Sequence, residues 1–260
     1  MKTDDKSLEN INRTLRLLWR NRLGEGEARR GPKQRLSVEK VIQVGIEIAD
    51  AEGLDALTIR KAAERLKIGT MSLYTYVPGR AELIALMADQ VMGETELPPH
   101  PQSLRGRLRA IARLTWDETH RHPWLLQAAS SRPWVGPNSV ERYEWQLTAI
   151  EHQGFTDIEM DQIVALLTGT AENLARVSIN MQTARATSDL TDAEWWSLHG
   201  PILSQLMRDE DYPVAARVGQ AAGEEYNSAT DPERTFEFAL ERIIDGLELL
   251  LERRATKTTT

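Results

Sequence analysis

RLSVEKVIQVGIEIADAEGLDALTIRKAAERLKIGTMSLYTYVPGRAELIALMAD, residues 35–89, decides how the rest of the chain is read. Ser37 is placed to cap a helix whose apolar face is Val38, Val41, Ile42, Gly45, Ile46 and Ala49, and which stops at Gly53. Thr58 caps a second, short helix through Leu66, and a third runs from about Gly69 to Tyr76. Pro78-Gly79 breaks the third, and a fourth begins near Arg80 with Leu83, Ile84, Met87 and Val91 on its apolar side. Three short helices with a tight turn between the second and third make a helix-turn-helix arrangement.

Outward from this segment the pattern stays helical, since no long apolar/polar alternation appears. Upstream, residues 1–34 form an extension. Leu8, Ile11, Leu15 and Leu18 share one face of a short amphipathic helix, which runs into a basic, glycine- and proline-broken linker around Arg29, Arg30 and Lys33. Downstream, Pro98, Pro99 and Pro101 mark a boundary between a domain at 35–95 and a larger one at 102–254, with a disordered tail at 255–260. Longer helices are expected over Leu104–Arg121 and Ser139–Gln153, and from the capping box Thr156/Glu159 to about Met181. Thr191/Glu194 repeats the capping signature, and Asp231-Pro232 opens a last helix carrying Phe236, Leu240, Ile243, Ile244, Leu247, Leu250 and Leu251. Residues 183–190 and 223–231 read as loops. The fold class is all-α, in two parts.

Composition narrows the function classes. A hydrophobic fraction of 41% over 260 residues supplies a core, so the chain is not of the disordered class. No apolar run reaches the length of a membrane span, the first residues are too polar for a secretory signal, and cysteine is absent. A reducing cytoplasm is the expected location. The net charge of -7 is unevenly divided: residues 1–93 carry 16 Lys and Arg against 13 Asp and Glu, the remainder 16 against 26. A mildly basic head on an acidic body is compatible with nucleic-acid binding, because phosphate attraction depends on local charge.

In a helix-turn-helix the third helix enters the major groove. Leu73 and Val77, four apart, can face the core, leaving Thr70, Met71, Ser72, Tyr74, Thr75 and Tyr76 to project outward. Hydroxyls reach phosphate oxygens or base edges, and Met71 or a Thr methyl can touch a thymine methyl. Arg60 can add a bidentate contact, and Arg80 sits at a helix N-terminus that favours a phosphate. Leu57, Ile59, Ala62, Ala63, Leu66 and Ile68 are core on any reading.

The pattern AxxxxxxxGLDALTIRxxAxxL followed by IGTMSLYTYVPGRAEL resembles the DNA-binding domain of the tetracycline-repressor (TetR) family. The likeness implies DNA contacts at Arg60, Thr70, Met71, Ser72, Tyr74, Thr75, Tyr76 and Arg80. Gly69 departs from the polar residue common at the head of the recognition helix, and Arg80 replaces the more usual Lys. From Leu104 to Leu251 the chain is more weakly similar to the C-terminal domain of that family, most visibly at His120-Arg121-His122-Pro123-Trp124.

Family members are homodimers whose last two long helices pack with their mates. The segments near 157–181 and 232–252 qualify, the first through Ile163, Leu166, Leu167, Thr170, Leu174 and Val177 with small Gly169 and Ala171. Ordinary intrachain core is the other reading of each. A small-molecule pocket is expected from Trp116, His120, Trp124, Trp134, Trp145, Asn173 and Arg176, with Met87 and Val91 at its floor, because these mix large apolar faces with a few polar tips. His120 and His122 are two apart and make a poor metal pair, and no catalytic constellation or cofactor motif stands out, so neither an enzyme nor a metal or cofactor is expected.

The resulting expectation is a ligand-responsive regulator, a repressor that binds a palindromic DNA operator as a homodimer and is released by a small molecule. Its rivals are an activator or ligand-independent regulator of the same fold, a helical enzyme, and a protein-interaction module anchored on Tyr74 and Tyr76. Arg29, Arg30 and Lys33 form a candidate arm on the DNA, with a solvated tether as the alternative.

Overall fold

The computed structural model describes residues 5–24, 36–128, 135–207 and 210–258, and these are helices joined by turns. In chain order they are α1 (Asp5–Leu18), α2 (Val38–Glu52), a 3-10 turn (Leu54–Ala56), α3 (Ile59–Leu66), α4 (Thr70–Leu73), α5 (Arg80–Met92), α6 (Leu104–Arg121), α7 (Leu125–Ala128), α8 (Pro137–Ile150), α9 (Asp157–Ser188), α10 (Asp192–Leu206), α11 (Pro213–Tyr226) and α12 (Pro232–Thr258). The all-α class is as expected. None of the described helices is long and apolar enough to cross a membrane.

Two compact units are present. One holds the chain through Ala110 together with Asp117–Val164; the other holds Ile111–Trp116 and Ala165–Thr260. The prolines at 98–101 therefore interrupt helix without dividing the packing. The reason is a set of side chains that tie later elements to the helix-turn-helix. Trp124 Nε1 and His122 Nδ1, just after α6, both meet Asp50 Oδ1 on α2, at 2.7 and 2.9 Å. Asp89 of α5 accepts the Ser139 N–H at 3.0 Å and so caps α8. Arg142 of α8 donates to the Met92 carbonyl at 3.0 Å and pairs with Glu118 at 2.9 Å. The Arg142–Glu118 pair is buried, and charges removed from water in this way persist only when paired.

The core of this first unit is built from Val41, Ile42, Ile46, Ile48, Leu57, Ala62, Leu73, Val77, Leu83, Leu86 and Met87. Helices α2 and α5 approach closely because Gly45 faces Met87: a Cβ at 45 would stand 2.7 Å from the Met87 sulfur. Ser37 and Thr58 cap α2 and α3 by accepting the N–H groups of Lys40 and Lys61.

Helix α1 is docked on this core, but by only part of the stripe its sequence suggests. Thr14 and Leu18 are buried and Leu17 packs beside them, whereas Ile11 and Leu15 are exposed. Its hold is finished by Arg20 on Glu39 at 2.8 Å and by Trp19 Nε1 on the Val135 carbonyl at 3.0 Å.

In the second unit α12 buries Phe236, Leu240 and Ile244, and Phe236 stacks on Trp116 at 4.5 Å between centroids. Two expectations are corrected here. Residues 183–188, read as loop, complete α9, and α12 continues to Thr258 through part of the supposed tail. Their hydroxyls explain the first. Thr183, Thr187 and Ser188 bond back to the carbonyls of Ile179, Thr183 and Ala184, so polar side chains are accommodated within the helix.

Candidate nucleic-acid interface

Helix α3 buries Ile59, Ala62 and Ala63, a spacing of three and four that leaves Arg60 and Glu64 on the solvent side. The chain reverses at Lys67, a non-glycine residue in the left-handed region (φ 57), whose N–H closes the helix on the Ala63 and Glu64 carbonyls. Ile68 and Gly69 follow, and α4 starts at Thr70. Gly69 gives α4 no side-chain cap, and a Cβ there would meet nothing nearer than Ser72 Oγ at 3.8 Å.

Helix α4 is a single turn. It is seated by Leu73 and by Val77 in the turn beyond, both fully buried. Most residues around them point away. Thr70, Ser72, Tyr74 and Thr75 are exposed, and Met71 is 77% exposed, far above what an apolar side chain has in a core. Tyr76 differs: it is half-buried and packs against the core, so only part of its ring and hydroxyl can serve a partner. The Thr75 hydroxyl donates to the Ser72 carbonyl at 2.7 Å, leaving its oxygen as an acceptor. Arg60 is highly exposed and pairs with Glu64 at 2.9 Å. The face thus presents hydroxyls, a thioether, an aromatic edge and a guanidinium, the set that reads base edges and phosphates.

Arg80, nominated as a phosphate contact, is exposed and also bonds within the chain. Its Nε and Nη2 donate to the carbonyls of Leu57 and Leu54, both at 2.7 Å, which clasps the 3-10 turn to the start of α5. The Leu54 carbonyl, which also accepts the Leu57 N–H at 3.1 Å, thereby receives a second donor. Sequence reasoning also missed Arg13, whose Nη2 donates to the carbonyl of Tyr74 at 3.2 Å. No motif signals it, because the two residues belong to different helices. Arg29, Arg30 and Lys33 lie outside the described residues.

The residues nominated for a small-molecule pocket are divided between the two units. Met87, Val91 and Trp124 are buried in the core of the first unit. His120 is half-buried on α6, and Trp145 donates to the Pro98 carbonyl at 2.9 Å with its ring beside His100. Trp116 belongs to the second unit, where it stacks on Phe236, and Asn173 and Arg176 are exposed on α9. Trp134 lies outside the described residues. A cavity of about 310 Å³ in the first unit takes in none of them; Arg20, Arg22, Leu86, Asp89, Pro137 and Asn138 are among its walls. Its polar groups are largely engaged, Arg20 with Glu39 and Asp89 with Asn138 and Ser139.

Comparison with known proteins agrees with this arrangement. The family described as tetracyclin repressor-like, C-terminal domain, matches residues 97–251. The HTH-type transcriptional repressor DrrR1 of Streptomyces coeruleorubidus is 39% identical over 255 residues, covering 97% of this chain and 91% of that protein. The TetR family protein ActR of Streptomyces coelicolor, in complex with actinorhodin, has a TM-score of 0.67 at 29% identity, covering 82% of this chain and 95% of that one. The same protein in complex with (S)-DNPA gives 0.65 at 28%, with 82% and 98% covered.

Proposed function

The chain belongs to the tetracycline-repressor family of transcriptional regulators, which are not enzymes, and from that premise we propose that it represses transcription by binding a palindromic operator as a homodimer. The observation that carries the reading is the outward face of α4. A one-turn helix held by Leu73 and Val77 has no structural need for an exposed Met71 or an exposed Tyr74. Arg60, Thr70, Met71, Ser72, Tyr74, Thr75 and Arg80 are the proposed DNA contacts, with Tyr76 at their edge; Arg80 also clasps the 3-10 turn.

Two helix-turn-helix heads are needed to read half-sites about 34–36 Å apart. The surface proposed for pairing lies on α9 and α12. Leu166 and Val177 are exposed on α9, and Phe238 and Leu249 on α12. Gly169 and Gly246 have open space where a Cβ would stand, which favours close approach of a second helix. Ile163, Leu167 and Ala171 are buried within the chain and are excluded from that surface.

A small-molecule effector completes the reading. ActR has been crystallised with actinorhodin and with (S)-DNPA, and by analogy this chain is assigned an organic effector that prefers the DNA-free state. An effector releases the operator only through its differential affinity for the two states. The test is a titration of duplex from the gene's own upstream region at several salt concentrations. Sequence-selective binding is expected, and binding with no sequence preference overturns the proposal.

A further inference from the structure

We propose that the N-terminal helix is a working part of the DNA-reading head, with Arg13 as the positioning residue that fixes the exit of the recognition helix. This rests on the DNA-binding reading above and adds to it an element outside the helix-turn-helix.

The argument starts from the length of α4. Its four residues, Thr70–Leu73, fall well short of what makes a helix stable by itself. At its N-terminus Gly69 supplies no side-chain cap. At its C-terminus the Ser72 and Leu73 carbonyls are closed by the turn through Val77, and the dipole leaves that end negative. Tyr74 is the residue that ends α4, and its carbonyl accepts Arg13 Nη2 at 3.2 Å. A cation with a directed N–H is the group that such a terminus favours.

Arg13 reaches this carbonyl from a fixed point. The next residue, Thr14, is fully buried, and Leu18, one turn further along the same face, is buried too. Arg20 and Glu39 tie the end of α1 to α2, the helix on which the head is built. The reading helix is thus held from within by Leu73 and Val77, and from outside by a guanidinium mounted on a docked helix. Trp19 and Arg22 extend the same hold to Val135 and Glu141, at the start of α8. Helix α1 therefore touches both the recognition helix and the element that Asp89 caps.

Two measurements on the full chain test the assignment. The first is amide hydrogen exchange in the free protein for Leu73, Tyr76 and Val77, whose N–H groups close the α4 turn on Gly69 and Leu73. Arg13→Ala should speed these amides by about fivefold, the value of one ordinary hydrogen bond, with α3 unchanged. Arg13→Lys, which keeps a cationic donor, should restore most of the protection. Unchanged exchange in Arg13→Ala overturns the proposal, whatever the protein does with DNA.

The second is operator binding against salt. Arg13→Ala should lose about fivefold in affinity while the slope of log K against log salt stays at the wild-type value. A slope smaller by about one would make Arg13 a phosphate contact and overturn the positioning role. If the wild-type protein itself prefers no duplex, the regulator reading fails, and the exchange measurement still decides Arg13.

Discussion

Trp124 and Asp50 are joined by a hydrogen bond of 2.7 Å from the indole Nε1 to the carboxylate Oδ1, linking the turn after α6 to the central helix of the DNA-reading head. The same oxygen meets His122 Nδ1, so one carboxylate holds two ring N–H groups at once. Asp50→Ala leaves the indole of the buried Trp124 without its acceptor, and should lower unfolding free energy by about 1–3 kcal/mol. Trp124→Phe removes the donor and should cost less at that bond, although its smaller ring leaves a gap. Urea denaturation of the two variants checks the order.

Met71 separates scaffold from reading face. Because it is 77% exposed, Met71→Ala should leave stability within about 0.5 kcal/mol of wild type. Operator affinity should nevertheless drop by about tenfold, and the loss should be confined to some base positions, as expected for an apolar contact to a base edge. Equal loss on operator and random duplex would assign Met71 no role in selectivity.

Arg60 and Glu64 form an exposed pair, with which the proposed phosphate contact would compete. Arg60→Ala should weaken operator binding and reduce the salt slope by about one. Glu64→Gln should act in the opposite direction, raising affinity a few-fold by removing a negative charge that both occupies Arg60 and faces phosphate. Fluorescence titrations in matched salt distinguish the two.

Asp89 gives a pH dependence with a defined sign. Burial pushes its carboxyl above the ordinary aspartate value, outweighing the hydrogen bonds from Ser139 and Asn138 that favour the anion. The native state therefore holds this proton more tightly than the unfolded chain. The associated stability is fully present below the ordinary aspartate value and is lost as pH rises through the folded value. Asp89→Asn lacks this component, so the difference in unfolding free energy, wild type minus variant, should fall as pH is raised from about 4 toward neutrality. Glu39, whose carboxyl is lowered, affects both proteins alike and cancels in the difference. A difference that is flat with pH would contradict the assignment.

Leu166 tests pairing through α9. It is 48% exposed, so Leu166→Glu has no buried site to disrupt within the chain. Size-exclusion chromatography with light scattering should show the wild type as a dimer and the variant shifted toward monomer. Operator affinity should fall with it, since one head cannot span two half-sites. A variant that remains dimeric would move the interface elsewhere.

The head was legible in the sequence because its signals are local. Ser37 and Thr58 announce caps three residues ahead, and the apolar spacing of Ile59, Ala62, Ala63 and Leu73 fixes which sides are buried. What escaped depends on partners distant in the chain. Arg80 has a second task, on the carbonyls of Leu54 and Leu57, that only the folded chain reveals. Thr14 is polar, so the apolar stripe Leu8, Ile11, Leu15 and Leu18 finds Leu18 but misses Thr14 and includes the exposed Ile11 and Leu15. Prolines 98–101 look like a boundary, but Asp50, Asp89 and Arg142 carry packing past them.

The vacant space at Gly69 bears on how such a regulator acquires a new target. Nothing presses on the position where its side chain would begin, and its backbone (φ -69) is open to every residue. Its neighbours Thr70, Met71 and Ser72 likewise support no part of the interior. Drift at four adjacent codons can therefore change the outward face while the residues that build the interior are inherited unchanged.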